Sequence, residues 1–196
     1  MTKFSHPSRC LLILVTILFV FSMTACADSN FPKAEESVNG FFKSLSEADL
    51  KTAESYCASD TGHFTFTDPQ EEKLAKLIFS KTKHEIVSSV EEGNTATVKV
   101  KVTNLDLQKI FEEMFGKIFD EALNSALEGD EISDEESAEK MMQYLEESMS
   151  KPDAPVLTSD LAITLNKDNG KKIWVIQDND AFVNSLTGNL NEMLSE

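Results

Sequence analysis

Residues 95–103 read TATVKVKVT, and this stretch decides the fold of the chain. Apolar side chains occupy every second position and alternate with threonine and lysine, a period that predicts a β-strand with one buried and one wet face. Such alternation is typical of an antiparallel sheet that is covered on one side. The stretch His84 to Glu91 and the turn Gly93-Asn94 predict the other half of a hairpin.

Two further strands are predicted near the carboxyl end. Val156 to Lys167 and Lys172 to Gln177 flank the turn Asp168-Asn169-Gly170, in which Asn-Gly is a strong hairpin signal. Trp174, the one tryptophan of the chain, lies in the second of these strands. We therefore expect the sheet to continue here, with Trp174 in or near the core.

Three amphipathic helices are predicted before the sheet. The first begins at Pro32, the second is capped by Asp49, and the third begins at Asp68-Pro69, a usual cap and first-turn pair. A last short helix is predicted from Asp180 to Leu194. The apolar positions that predict buried faces are Val38, Phe41, Phe42 and Leu45 in the first helix and Leu74, Leu77 and Ile78 in the third.

A helical hairpin is predicted between the two pairs of strands. Its first helix is capped by Asn104 or Asp106, and its second runs from Asp134 to Ser150 after the charged turn Glu128 to Glu136. The Phe- and Met-rich face from Leu107 to Leu127 is interpreted as core, with a groove for a lipid or a partner helix as the alternative. The expected packing partners of that face are Ala138, Met141, Met142, Leu145 and Met149.

These elements predict one α+β domain, residues 32–196. N-terminal helices pack on a curved antiparallel sheet, and a helical insert at about 106–150 lies between strands. A domain of this length can bury a core without disulfides. Cys57, at helical spacing from Leu50 and Ala53, is predicted to be a small buried apolar group rather than a nucleophile.

Residues 1–25 read as a bacterial export signal. Two basic residues give a positive start, residues 10–23 are uncharged and mostly apolar, and Met23-Thr24-Ala25-Cys26 closes the segment. These last four residues resemble the lipobox of bacterial lipoproteins, with methionine where leucine is usual. The pattern predicts that Cys26 is diacylated, that residues 26–31 form a short tether, and that the protein is lipid-anchored at the extracytoplasmic face of the cell membrane.

Two other outcomes of export stay open. Ala25-Cys26-Ala27 also fits an A-x-A site, and cleavage after Ala27 would release a secreted protein that begins at Asp28. An uncleaved membrane anchor is the third interpretation, although the apolar run is shorter than the roughly 20 residues that a spanning helix needs.

The predicted mature chain is strongly acidic. Removing residues 1–25 leaves 16 lysines and no arginine against 34 acids, a formal charge of −18. This field opposes nucleic acid and anionic lipid headgroups, so we expect no nucleic-acid binding. It favours solubility beside a negatively charged envelope, or the attraction of cationic partners.

No local motif identifies a reaction. The seven glycines are isolated, so the chain has neither a G-x-G-x-x-G turn nor a P-loop, and G-x-S-x-G is also absent. His84-Glu85 begins like a zinc-protease motif, but Ser88 stands where the second histidine is required. His63, in a loop, is the better candidate for a binding role. The acids of residues 130–136 lack the EF-hand order, so we expect a solvated turn without calcium, and no cofactor or metal.

Three stretches resemble the nuclear transport factor two-like, or cystatin-like, domains of small lipoproteins from Gram-positive bacteria. They are Val38–Asp49 (VNGFFKSLSEAD), Thr95–Asp106 (TATVKVKVTNLD) and Gly170–Gln177 (GKKIWVIQ). The resemblance implies helices followed by a curved antiparallel sheet, and the long helical hairpin departs from it. Enzymes on that fold, such as ketosteroid isomerase-like proteins, place acids inside the cone of sheet and helices, but none of their catalytic motifs matches here.

We favour a non-enzymatic binding or interaction module of the cell envelope, with an enzyme that carries an acid-base pocket on the cone fold as the alternative. A deep cavity with His63 or a buried acid of shifted pKa would favour catalysis, whereas a closed core would favour surface recognition. Besides the membrane, the expected partner is an envelope protein or a small-molecule ligand. The helical hairpin is the predicted interaction surface, because it exceeds what the basic fold requires, and its charged tip would steer a cationic partner.

Overall fold

The computed structural model describes residues 31–58, 64–128 and 133–188 of the chain. The described helices and strands are α1 (Ala34–Ser46), α2 (Leu50–Ser55), α3 (Pro69–Ser80), β1 (Lys83–Glu92), β2 (Thr95–Leu105), α4 (Leu107–Glu128), α5 (Asp134–Ser150), β3 (Val156–Asp168), β4 (Ile173–Gln177) and α6 (Asp180–Leu186). The strands form one antiparallel sheet in the order β1-β2-β3-β4, and α4 and α5 lie between its two middle strands in sequence. The predicted α+β class, with a helical hairpin between strands, is confirmed.

One face of the sheet is buried and the other is exposed to solvent, as the alternation of apolar and polar side chains along β2 predicts. Val98 on β2 pairs with Ile163 on β3, and both side chains are buried. On the opposite face, Lys99 pairs with Ala162, and both are exposed. The strand also continues two residues beyond its predicted end, to Leu105. The branched apolar side chains therefore meet the helices, while lysine and threonine stay in water.

Trp174 lies in the core, as predicted. Its side chain is fully buried, and its backbone N–H donates to Ser37 Oγ of α1 at 3.1 Å. Its indole Nε1–H donates to the carbonyl oxygen of Pro32 at 2.9 Å. Because a buried indole N–H needs an acceptor, this bond holds the start of α1 against β4.

Both outer strands of the sheet have modified edges. On β4, the N–H of Ile176 donates to the carbonyl oxygen of Tyr56 at 2.7 Å, and the N–H of Ala58 donates back to the carbonyl oxygen of Ile176 at 2.9 Å. On β1, the register shifts between Ile86 and Ser88, which marks a β-bulge. Pairing and bulging both reduce the tendency of an open edge to recruit another strand.

Two helix ends differ from the sequence-based expectation. Helix α1 begins at Ala34 rather than Pro32, and the N–H of Ala34 donates to Glu91 Oε1 at 2.8 Å. A carboxylate from β1 thus serves a helix end that lacks a Ser, Thr, Asp or Asn cap of its own. Helix α6 ends at Leu186 rather than Leu194, and residues 189–196 lie outside the described part.

Two other predictions needed correction in detail. Lys172 does not belong to β4, because its φ of 55° lies in the left-handed region, and the loop is held by Asp168 Oδ1, which accepts from the N–H groups of Gly170 and Lys171. Helix α3 fully buries Ala75 and Phe79, whereas its predicted stripe is only half-buried. The predicted caps Asp49 and Asp68 are confirmed by side-chain bonds to the N–H groups of Thr52 and Gln70.

Asn104 is not a helix cap but a buried residue whose side chain links several elements, and we call its set of hydrogen bonds the joint. Asp106 Oδ1 accepts from the N–H of Lys109 and so caps α4, which confirms one of the two predicted candidates. Asn104 Nδ2 instead donates to the carbonyl oxygens of Ser185 at 2.6 Å and Leu186 at 3.0 Å, at the end of α6. Its Oδ1 accepts from Thr82 Oγ1, just after α3, at 2.5 Å. One buried amide therefore joins α3, β2 and α6 where the helical hairpin leaves the sheet.

Two glycines with positive φ give a matched test of this joint. A Cβ on Gly188 (φ 56°) would lie 2.3 Å from the carbonyl oxygen of Leu105, whereas a Cβ on Gly93 (φ 62°) would meet nothing within 4 Å. We expect Gly93→Ala to cost about 1 kcal/mol of unfolding free energy, from backbone strain alone. Gly188→Ala should cost about 3 kcal/mol, because steric overlap adds to the strain. Urea unfolding measures both, and equal costs would contradict the packing of Gly188 against β2.

Candidate functional site

The base of the helical hairpin is part of the core. Leu107, Ile110 and Met114 of α4 are buried against Leu145 and Met149 of α5, and apolar residues of α3 pack on the same cluster. For this half of the hairpin, the interpretation of the Phe- and Met-rich face as core is confirmed. The base can therefore hold the rest of the hairpin in a fixed direction.

The outer half of α4 is different, because its large apolar side chains are exposed. We call Phe115, Phe119, Leu123 and Leu127 the outer stripe; their exposed fractions are 57%, 69%, 51% and 79%. The interpretation of the whole face as core is wrong for these four residues. Their spacing of four residues places them along about 18 Å of helix at 1.5 Å per residue. Phe111, half-buried, stacks on Phe115 with ring centroids 6.4 Å apart and so joins the stripe to the core.

Beyond the base, α4 and α5 meet through polar side chains and not through the outer stripe. Lys140 Nζ lies 3.7 Å from Glu121 Oε2 and 3.5 Å from Glu136 Oε1, and Lys117 Nζ lies 4.5 Å from the centre of the Tyr144 ring. An open groove of about 480 Å³ follows this side of the hairpin. Its lining is polar or charged throughout: Glu121, Asn124, Ser125, Glu128, Lys140, Gln143, Tyr144 and Glu147. Ala138, predicted to face inward, is exposed here.

The hairpin also concentrates the charge of the chain. Residues 107–150 contain thirteen acids and three lysines, a formal charge of −10 out of the −18 of the predicted mature chain. Glu112, Glu113 and Asp120 are exposed on α4 itself. The outer stripe is thus an apolar surface in a negative electrostatic field.

Cys57 lies inside the domain, as predicted. Its side chain is 4% exposed, and burial, with smaller contributions from Asp178 and Glu54, raises the pKa of the thiol to about 12. The adjoining cavity is small, about 70 Å³, and mainly apolar. It is lined by Cys57, Phe64, Phe79, Phe182, Val183, Leu186 and Thr187. A thiol in these surroundings stays protonated and is a poor nucleophile.

His84 has a structural role in the described fold. Its ring stacks on Phe42 with centroids 4.6 Å apart, and its Nε2 lies 2.8 Å from Asn39 Oδ1. Burial lowers the pKa of His84 below its ordinary value. The neutral ring is therefore favoured where it packs on the face of Phe42.

The other predicted site residues fall outside the described part of the chain. These are Cys26 with the export signal, His63, and residues 129–132 of the acidic turn. Among described residues, no three His, Cys, Asp or Glu side chains are grouped closely enough to hold a metal ion. No described helix is both long and apolar enough to cross a membrane.

Sequence reasoning found the residues of the outer stripe but not their exposure. The sequence did contain one signal of this exposure. Each step of four residues turns about 40° around the helix, so the outer stripe moves away from the face that Leu107 and Met114 bury. Because α5 packs on the face that buries Leu107 and Met114, it does not reach the outer stripe. Asn104 carried no such signal, because its partners lie 22 and more than 80 residues away.

Comparisons with known proteins give a family and one structural likeness. Among curated proteins none matches the chain. The chain is similar to the crystal structure of YcdA from Bacillus subtilis, a protein proposed to be a lipoprotein, with 16% sequence identity and a TM-score of 0.44. This match covers 78% of the present chain and 45% of the YcdA chain, so the chain spans less than half of that protein. A family model for a domain of unknown function (DUF5105) matches residues 28–190, and the chain therefore belongs to the DUF5105 family.

Proposed function

We propose that this protein is a lipoprotein of the cell envelope, anchored through Cys26, that recognises another envelope component without catalysing a reaction. The observation that carries the proposal is the outer stripe. Two phenylalanines and two leucines, spaced four residues apart, expose more than half of their surface to solvent. The two phenylalanines alone expose about 200 Å² of apolar surface, given ~150–250 Å² per aromatic side chain. Together with the two leucines they form an apolar patch of roughly 400 Å², which is the size of the largest patch on a typical soluble domain, and such patches are often functional.

The base of the hairpin supports the same proposal. A recognition surface gains affinity when it is held in its bound form before binding, because less conformational entropy is lost. The buried contacts of Ile110 and Met114 with α5 supply that rigidity in the helix turn that leads into Phe115. The outer stripe is thus a presented surface on a fixed support.

The lipid anchor rests on the sequence, which joins a positive start, an apolar segment and Thr24-Ala25-Cys26. Five residues, 27–31, separate Cys26 from Pro32, whose carbonyl oxygen is bound by Trp174. At about 3.5 Å per residue, this tether spans at most about 20 Å. A lipid on Cys26 would therefore keep the domain close to the outer surface of the membrane.

We further propose that the sheet and α1 are a form of the nuclear transport factor two-like, or cystatin-like, fold. Support comes from an antiparallel sheet covered by helices on one face, and from Trp174 in its last hairpin. The hairpin of α4 and α5 is then an addition to that fold, placed between β2 and β3.

Lipidation is tested by metabolic labelling with palmitate. We expect label on the wild-type protein and on Cys57→Ser, and none on Cys26→Ser. Cys57→Ser is the matched control, because it removes the other cysteine of the predicted mature chain. An unlabelled wild-type chain that begins at Asp28 would show ordinary secretion and contradict the anchor.

Recognition by the outer stripe is tested with a photoreactive phenylalanine analogue in living cells. Placed at Phe119, it should form a covalent product with an envelope component on illumination. Placed at Val90, which is 55% exposed on β1, it should form none of that product. The two sites share apolar character and exposure, so their difference reports location. The same product from both positions, or none from Phe119, would count against the stripe as the recognition surface.

A further inference from the structure

We propose that the outer stripe binds a cationic amphipathic helix of a partner polypeptide, laid along α4. This inference rests on the proposed recognition function and adds the chemistry of the partner. Its apolar face would cover Phe115, Phe119, Leu123 and Leu127, and its lysine or arginine side chains would meet the acids beside them.

The shape of α4 suits a helical partner. The outer stripe is long and one side chain wide, which is how a helix presents anchors to another helix. Gly116 lies three and four residues before Phe119 and Asp120, so it shares their side of α4, and a Cβ added there would meet nothing within 4 Å. The backbone of α4 is therefore bare beside the stripe, and a partner helix can approach it closely. About three turns, or 12 to 14 residues, match the stripe at 1.5 Å per residue.

The charges beside the stripe select the sign of the partner. Glu112 precedes Phe115 by three residues, and Asp120 precedes Leu123 by three, so helical spacing places both acids next to stripe residues. Glu113, like these two, is exposed. Lysine or arginine on the edge of the partner's apolar face would reach these carboxylates while its leucines cover the stripe.

The same charge disfavours the other two occupants. A second copy would bring two hairpins of −10 together, and an anionic membrane surface would repel one. The electrostatic screening length is about 8 Å in physiological salt, so charged groups in direct contact across the stripe still attract or repel each other. A cationic partner is attracted by this field. Of the three occupants compared, it is therefore the one for which both the apolar and the electrostatic contributions favour binding.

The test titrates peptides into the mature chain with serine at position 26, so that every residue after the signal is kept and the lipid is absent. The probe is a 14-residue peptide of leucine and lysine with the leucines on one helical face. One comparison peptide replaces lysine by glutamate, and another reorders the same leucines and lysines so that no face forms. Calorimetry measures binding at low and at physiological salt, and circular dichroism confirms that each variant is folded.

We expect the basic amphipathic peptide to bind, more weakly as salt rises, and the other two peptides to bind at least about tenfold more weakly. Phe119→Ser with Leu123→Ser should weaken binding about tenfold or more. Val156→Ser, at a side chain 59% exposed on β3, should not change it. Glu112→Lys with Asp120→Lys should weaken binding and flatten its salt dependence, whereas Glu92→Lys on β1 should do neither.

Several results would overturn the inference. If the acidic peptide binds as tightly as the basic one, the partner is not selected by its positive charge. If Phe119→Ser with Leu123→Ser leaves binding of the basic peptide unchanged, the outer stripe is not the binding surface. Dimerisation in sedimentation that Phe119→Ser abolishes would assign the stripe to a second copy. Binding to phosphatidylglycerol vesicles that Phe119→Ser abolishes would assign it to the membrane. A covalent product from Phe119 in cells without peptide binding would leave the proposed function in place and refute only the cationic helix.

Discussion

The buried amide of Asn104 holds three elements of the fold together at the point where the helical hairpin begins. It sits at the end of β2, two residues before the Asp106 cap, and it binds both the end of α6 and Thr82, the second residue after α3. A buried amide without these partners would cost about 1–3 kcal/mol per lost bond, so the joint specifies one arrangement of three elements. It thereby sets where α4 leaves the sheet, and the direction of the hairpin follows.

From this joint outward, the hairpin changes character along its length. Near the sheet it buries Ile110 and Met114 against α5, so it belongs to the core. Further out, Lys140 with Glu121 and Lys117 with Tyr144 join the helices through polar contacts, and the apolar residues turn away from α5. The result is a rigid base that carries an apolar stripe into solvent. Ordinary folding requirements account for the base, whereas the proposed recognition function is our explanation for the stripe.

Local signals were enough to predict most elements from the sequence. The period of β2, the caps Asp49 and Asp68, the core place of Trp174 and both ends of α5 follow from patterns a few residues long. The candidate site was predictable only in part, because periodicity shows which residues share a face but not how far along it a neighbour extends. How far a neighbouring element covers that face depends on long-range contacts such as those of Asn104, which no local pattern encodes.

The difference between the two halves of α4 can be measured by hydrogen exchange in the free mature protein. We expect slow exchange at Ile110 to Met114, set by global unfolding, and faster exchange beyond Phe119, where few buried contacts oppose local opening. Binding of a partner to the stripe should then slow exchange in the outer half and leave the sheet unchanged. Equal protection along the whole of α4 in the free protein would show that the stripe is already covered, and would contradict the account.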